Sequence, residues 1–270
     1  MNPLVSILIP TYNRPDYFEE ALKSALNQTY DNIEIIVCDN SDNDLTGQVV
    51  QKYLSAHNGS KIRYVKNATN IGPIANQQQC LNLATGEYIN YLMDDDMFHP
   101  EKVEKMVPYF VKNSDVTLVT SVRRVIDKDG KRLYVPPLWT FRKLFEQDTV
   151  IDGKRLNQIM LRDKTNYIGE PTTAMFRRKA LDEPFGVLLG QQVYFAVDLA
   201  AWAKLLHVGK GVYLTKPLSY LRYHDKQLSQ HEMAKDIAKL DQQTFINFAK
   251  AKGYDLEGFD KGKKKRKGKR

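Results

Sequence analysis

Tyr88-Ile89-Asn90-Tyr91-Leu92-Met93-Asp94-Asp95-Asp96 runs from an apolar segment straight into three carboxylates. The apolar part, Tyr88–Met93, is short and reads as a buried strand. The aspartates then fall at its carboxyl end, the ligand edge of an open parallel sheet. Outward from this stretch the same grammar repeats. Leu4–Pro10, Ile33–Cys38, Lys61–Lys66 and Val116–Val122 read as further strands. Between them, helices are expected from Pro15, over Thr46–His57, over Asn70–Leu83 behind Gly72-Pro73, and over Glu101–Lys112. Strands spaced by helices imply βαβ crossovers and a mostly parallel central sheet flanked by helices, an α/β fold.

The rhythm changes after residue 123. Asp129-Gly130 reads as a hairpin turn between Arg124–Asp127 and Arg132–Val135. Helices are expected over Asp152–Arg162, Val193–Leu206 and His231–Lys252. Thr172–Arg177 reads as a strand, and Leu214–Tyr223 as one or two short strands around Pro217. The division is therefore one unit, residues 1–260, in which a second half (123–260) decorates the first (1–122), followed by a basic tail (261–270).

The tail dominates the charge. Of 270 residues, 40 are Lys or Arg and 32 are Asp or Glu, a formal net charge of +8. Residues 261–270 (KGKKKRKGKR) hold eight of the basic ones, so the rest of the chain balances at 32 against 32. A folded nucleic-acid-binding face should be basic over a whole surface, so no nucleic-acid partner is expected. The tail is expected to stay disordered and to suit an anionic membrane surface. With 2 Cys there is no disulfide framework, and no apolar run reaches the ~18 residues of a membrane span. The start lacks a basic n-region, so no signal peptide is expected, and the compartment reads as cytoplasmic, with peripheral attachment to the membrane's inner face as the tail's alternative.

Several groups are candidates for chemistry. Asp94 and Asp96, two residues apart, suit a hard cation that would clamp a diphosphate, and crowding of three carboxylates calls for one. An acidic turn ahead of the next helix is the plain alternative. Asp39 ends the second strand and opens a polar loop through Asp42 that suits a base or ribose. Asn70-Ile71-Gly72 precedes a helix and suits an anion through its backbone amides. Asp198 stands in an otherwise apolar helical stretch, and His224 follows Arg222-Tyr223. No GxGxxG or GxxxxGK[ST] pattern occurs, which disfavours a Rossmann dinucleotide site and a P-loop.

In order, Val5–Arg14, Ala21–Tyr30, Glu34–Asp42, Asn70–Gly72, Ala84–Ile89 and Asp94–Asp96 resemble the family 2 glycosyltransferases of GT-A fold; the likeness continues more loosely through Gly169–Arg178, Asp198 and Arg222–Ser229. The resemblance implies a GT-A-like domain and an inverting sugar transfer. The donor would be a nucleotide sugar, usually UDP-linked, with Mn²⁺ or Mg²⁺, and the acceptor a glycan, glycoprotein or lipid-linked molecule of a bacterial surface. Pro10, Thr11, Tyr12 and Arg14 would line the nucleotide pocket, and Asp39 would accept from the base. Asp94 would face the ribose, Asp95 lies beside it, Asp96 would bind the metal, and His224 would lie near the metal or diphosphate. Asp198 matches the general base, with Asp182 and Glu183 as alternatives, and Arg222 is a candidate for the diphosphate. A homo-oligomer is left open. A sugar-1-phosphate nucleotidyltransferase, or a membrane- or nucleic-acid-binding module acting through the tail, are the competing functions; the first would want a glycine-rich loop after strand one, and Pro10–Pro15 has no Gly.

Overall fold

A computed structural model describes residues 2–55, 59–133, 143–163, 165–224 and 234–255. In chain order its elements are β1 (Val5–Thr11), α1 (Pro15–Leu26), β2 (Ile33–Asp39), α2 (Leu45–Leu54), β3 (Ile62–Lys66), α3 (Pro73–Leu83), β4 (Tyr88–Tyr91), β5 (Met97–Phe98), α4 (Lys102–Lys112), β6 (Val116–Ile126), β7 (Thr149–Asp152), α5 (Gly153–Asp163), β8 (Met175–Arg177), β9 (Val187–Leu188), β10 (Gln191–Gln192), α6 (Val197–Val208), β11 (Lys210–Arg222) and α7 (Ala234–Ala251). No helix among the described residues is long and apolar enough to cross a membrane.

The main sheet runs β3-β2-β1-β4-β8-β6-β11-β5, with β7 also on β11. The β3-β2-β1-β4 portion is parallel throughout, as the βαβ pattern requires. β8 then inserts antiparallel between β4 and β6, while β11 returns parallel to β6. The sheet is therefore mixed, with its antiparallel members all from the second half of the chain or from the short β5.

Both faces of the sheet are covered, which is why β1 is buried along its whole length. Val5, Ile7 and Ile9 meet α1, α2 and α4 on one face. Leu8 points the other way, into a cluster with Cys80 of α3, Met160 of α5 and Trp202 of α6. Against α5 and α6, α7 adds a further layer through Phe245, Phe248 and Ala249.

Three expectations change. The helix expected from Val193 begins at Val197, because the amides of Tyr194, Phe195 and Ala196 donate to the Asp241 carboxylate on α7 instead of to a helix. Of Leu214–Tyr223, all but Tyr223 belongs to one strand of 13 residues, and Pro217 falls where its register with β6 breaks, the place a sheet tolerates a missing N–H. Thr172 and Thr173 precede β8 in a turn, and only Met175–Arg177 pairs as strand. The tail, Asp225–Ser229 of the looser resemblance, and Tyr134 and Val135 of the hairpin lie outside the described residues.

Candidate active site

Four segments converge at the carboxyl edge of β1, β2, β4 and β11. After β1, Asn13 adopts φ 52 and is held by Ser41 and Asp42 of the neighbouring loop: its amide donates to Ser41 Oγ at 2.8 Å, and its Nδ2 to Asp42 Oδ2 at 2.8 Å. This left-handed turn brings Arg14 back over the carboxylates before Pro15 starts α1. Arg14 Nη1 lies 3.1 Å from Asp94 Oδ1 and 2.9 Å from Asp95 Oδ2. The Tyr12 amide donates to Asp94 Oδ2 at 3.1 Å, and the Tyr12 ring, 44% exposed, stands at the rim with its hydroxyl on Asp42. Pro10 and Thr11 complete β1 and are buried.

The three aspartates do different jobs. Asp94 carries the contacts from Tyr12 and Arg14; burial, and then the charge of Asp95, push its pKa up to about 6 against the pull of Arg14. Asp95 Oδ2 lies 3.0 Å from His224 Nε2. Asp96 turns inward and is 1% exposed. Its Oδ2 accepts from the Thr172 hydroxyl at 2.5 Å and its Oδ1 from the Arg222 amide at 3.0 Å. Burial and the charge of Asp95 push its pKa well up. The carboxylate placed beside the histidine is thus Asp95, while Asp96, the expected metal ligand, has both oxygens engaged in the interior.

Asp95 and His224 offer one carboxylate oxygen and one imidazole nitrogen side by side, a donor set that fits Mn²⁺ or Mg²⁺. Among the described residues no cluster of three or more His, Cys, Asp or Glu is arranged for an ion. Two protein ligands leave coordination positions for a substrate diphosphate.

Arg222, a sequence candidate for that diphosphate, is instead fully buried. Its Nε donates to the Asp95 carbonyl at 2.8 Å, its Nη1 to the carbonyls of Asp127 and Lys128, and its Nη2 pairs with Glu20 at 2.5 Å, while its guanidinium lies 4.6 Å from the Tyr17 ring centre. It holds the backbone of the aspartate turn and the start of the segment carrying His224.

Asp39 stands at the expected edge, fully buried. Its Oδ1 accepts from the Ser41 amide at 2.8 Å, and its Oδ2 from Tyr64 at 2.8 Å and Lys66 at 3.3 Å. In Asn70-Ile71-Gly72 the Gly72 amide donates to Asn70 Oδ1 at 2.9 Å, an Asx turn with Gly72 at φ 85, and the Ile71 amide lies 3.5 Å from Asn40 Oδ1.

Asp198 lies in the first turn of α6 and is half-buried. Its Oδ1 accepts from the Leu199 amide at 2.8 Å and its Oδ2 from Asn166 Nδ2 at 2.9 Å. Burial pushes its pKa up to about 7; the Leu199 amide opposes this, and the charge of Glu170 adds to it. The alternatives are engaged elsewhere or lie off this contact: Glu183 accepts from the Gly190 amide at 2.7 Å and pairs with Lys204 at 3.7 Å, and Asp182 is its chain neighbour.

One turn, residues 166–173, ties Asp198 to the aspartates. Asn166 holds Asp198 at one end, and Thr172 holds Asp96 at the other. Between them the Gly169 carbonyl accepts from Asn166 and from Trp202 Nε1 at 2.9 Å. Gly169 has φ 94, and a Cβ there would sit 2.6 Å from Thr173 Oγ1 and 2.8 Å from Arg123 Nη1, so glycine is required. Arg123 pins Glu170 through a 2.6 Å ion pair, and the fully buried Lys102 donates to the Thr173 carbonyl at 2.9 Å. Asn166, Glu170, Thr172 and Lys102 do not stand out in the sequence; the only signal is the loose match that begins at Gly169.

A model of the family described as glycosyl transferase family 2 matches residues 6–185. An uncharacterized glycosyltransferase of Methanocaldococcus jannaschii is 34% identical over 53% of this chain and 50% of its own length. An uncharacterized glycosyltransferase of Haemophilus influenzae is 25% identical over 94% of this chain and 77% of its own. Escherichia coli chondroitin synthase is 33% identical over 53% of this chain and 21% of its own. The chain thus spans half of the archaeal relative's length and a smaller share of the synthase's. Among solved structures, S. aureus TarS 1–349 in complex with UDP-GlcNAc superposes with a TM-score of 0.69 at 20% identity, over 95% of this chain and 71% of that one, a likeness of fold.

Proposed function

Since the chain belongs to glycosyl transferase family 2, we propose that it transfers a sugar, with inversion, from a nucleotide donor to a glycan, glycoprotein or lipid-linked acceptor. The observation that carries this reading is the 166–173 turn: it ties a carboxylate whose pKa is pushed up to about 7 to the aspartates at the sheet edge. A general base works best with a pKa near the working pH. The acceptor hydroxyl attacks the anomeric carbon, the bond to the diphosphate oxygen breaks, and its electron pair leaves on the diphosphate. Asp198 takes the hydroxyl proton; Asn166 and the Leu199 amide hold the carboxylate for that task.

On the donor side, the Tyr12 ring and the Asp39–Asp42 loop would receive the base, with Asp39 accepting from it and Asp94 facing the ribose. Asp95 and His224 would hold the divalent ion, which supplies charge stabilisation to the departing diphosphate. Arg14, already on Asp94 and Asp95, fixes their orientation. The TarS complex contains UDP-GlcNAc, which makes that donor the first to test. A cytoplasmic setting with the basic tail on an anionic membrane would bring the enzyme to a lipid-linked acceptor.

The test is a panel of nucleotide sugars with Mn²⁺ or Mg²⁺, read as donor hydrolysis and as thermal stabilisation by the matching nucleoside diphosphate. One donor should be hydrolysed, and its diphosphate should stabilise the protein only with the metal. Neither effect with any donor overturns the reading.

A further inference from the structure

Resting on the glycosyltransferase reading, we propose that Tyr194 and Phe195 form the acceptor platform, an aromatic surface on which a pyranose ring of the acceptor glycan stacks beside Asp198.

The two rings are 62% and 44% exposed, and among the described residues neither makes a ring contact with another aromatic side chain. Scattered exposed apolar side chains need no explanation. These are adjacent, and they are held open. Asp241, 3% exposed, accepts from three successive amides: Tyr194 at 3.0 Å, Phe195 at 2.7 Å and Ala196 at 2.9 Å. Hydrogen bonds to a buried carboxylate are the strong kind, so the loop is not free to fold its rings inward. Val193 on one side is fully buried, which anchors the other end of the loop.

Position selects the ligand. Phe195 is three residues from Asp198, at most about 11 Å along the chain. A sugar ring stacked there would present an edge hydroxyl towards the base. A pyranose suits this surface because one face is lined by C–H groups while its hydroxyls lie at the rim. Charge disfavours an anionic membrane: residues 187–203 contain no Lys or Arg, whereas interfacial segments carry basic flanks. Two rings are also far short of the area a specific protein partner buries.

The experiment compares the wild-type chain, Tyr194→Ala/Phe195→Ala, and Phe195→Tyr on a printed array of oligosaccharides, in the presence of UDP and Mn²⁺. Thermal stabilisation by UDP and Mn²⁺ is read in parallel on each protein. The wild type and Phe195→Tyr should retain the same glycans, and the double variant should lose about tenfold or more of that retention with its UDP stabilisation unchanged. A wild type that retains no glycan, or a double variant that retains glycans equally, overturns the platform. So does wild-type binding to phosphatidylglycerol vesicles that the double variant loses, since the rings would then serve a lipid surface. Failure of the functional reading is separate: no nucleoside diphosphate would stabilise even the wild type.

Discussion

His224 Nε2 lies 3.0 Å from Asp95 Oδ2, across 129 residues of chain. The last strand of the sheet therefore completes a site begun by the fourth. Arg222 makes this possible, because its amide and its Nε fasten the end of β11 to Asp96 and to the Asp95 carbonyl.

The first prediction separates the two aspartates. Asp95→Asn and His224→Ala should each weaken Mn²⁺-dependent UDP stabilisation by at least about 10-fold, with little change in the melting temperature of the free protein. Asp96→Asn should instead lower stability by roughly 1–3 kcal/mol, because the two oxygens of Asp96 accept from the Thr172 hydroxyl and the Arg222 amide and the asparagine NH2 would face one of these donors. If Asp96→Asn alone abolishes metal-dependent UDP binding at unchanged stability, the assignment reverses.

Asp198 gives a pH prediction. Transfer should rise with pH through about 7, the pKa to which burial pushes this carboxyl. Asp198→Asn keeps one acceptor oxygen but takes no proton, and turnover should fall at least ~100-fold with donor affinity unchanged. The stability effect has the opposite sense. The folded pKa stands above the unfolded value of about 3.9, so the stability from this group is full below about pH 4 and is lost as pH rises through 7. Melting curves should therefore show the Asn variant gaining on the wild type between about pH 4 and pH 7. A variant that loses ground to the wild type over that range contradicts the assigned environment.

Arg222→Lys should cost roughly 3 kcal/mol of stability in urea unfolding, since an ammonium cannot reproduce the guanidinium's fork of contacts to Asp95, Asp127, Lys128 and Glu20. Near-native stability in this variant would mean that those contacts are worth little.

The basic tail predicts membrane behaviour. Each Lys or Arg near an anionic surface contributes about 1 kcal/mol. Vesicles containing phosphatidylglycerol should sediment the full chain, salt should release it, and residues 1–260 should stay in the supernatant. Equal sedimentation of both forms would exclude the tail from membrane attachment.

Residues 1–122 are legible because their strands are short apolar runs covered on both faces, and α1 and α3 open on a proline. Asp94–Asp96 are legible as a cluster, but their division of labour is not. Nothing local in the sequence tells that Thr172 and the Arg222 amide claim Asp96 and leave Asp95 to His224. Lys102 shows the same limit: on a helix of good amphipathic pattern it reads as a solvent-facing residue, yet it is fully buried against Thr173 and Ser219. The start of α6 escapes local reading because the competitor for the amides of residues 194–196 is Asp241, far along the chain.

The Gly169 turn also sets where this protein can be recombined with its relatives. A chimera whose junction with a foreign second half falls between Asn166 and Trp202 would split the Asn166–Asp198 or the Gly169–Trp202 hydrogen bond between two parents. Graft boundaries placed ahead of Asn166 and beyond His224 keep Trp202, Asp198, Thr172 and Arg222 as a single transplanted block. Exchange of acceptor preference by domain shuffling is then expected to work block by block, and to fail when the crossover falls inside it.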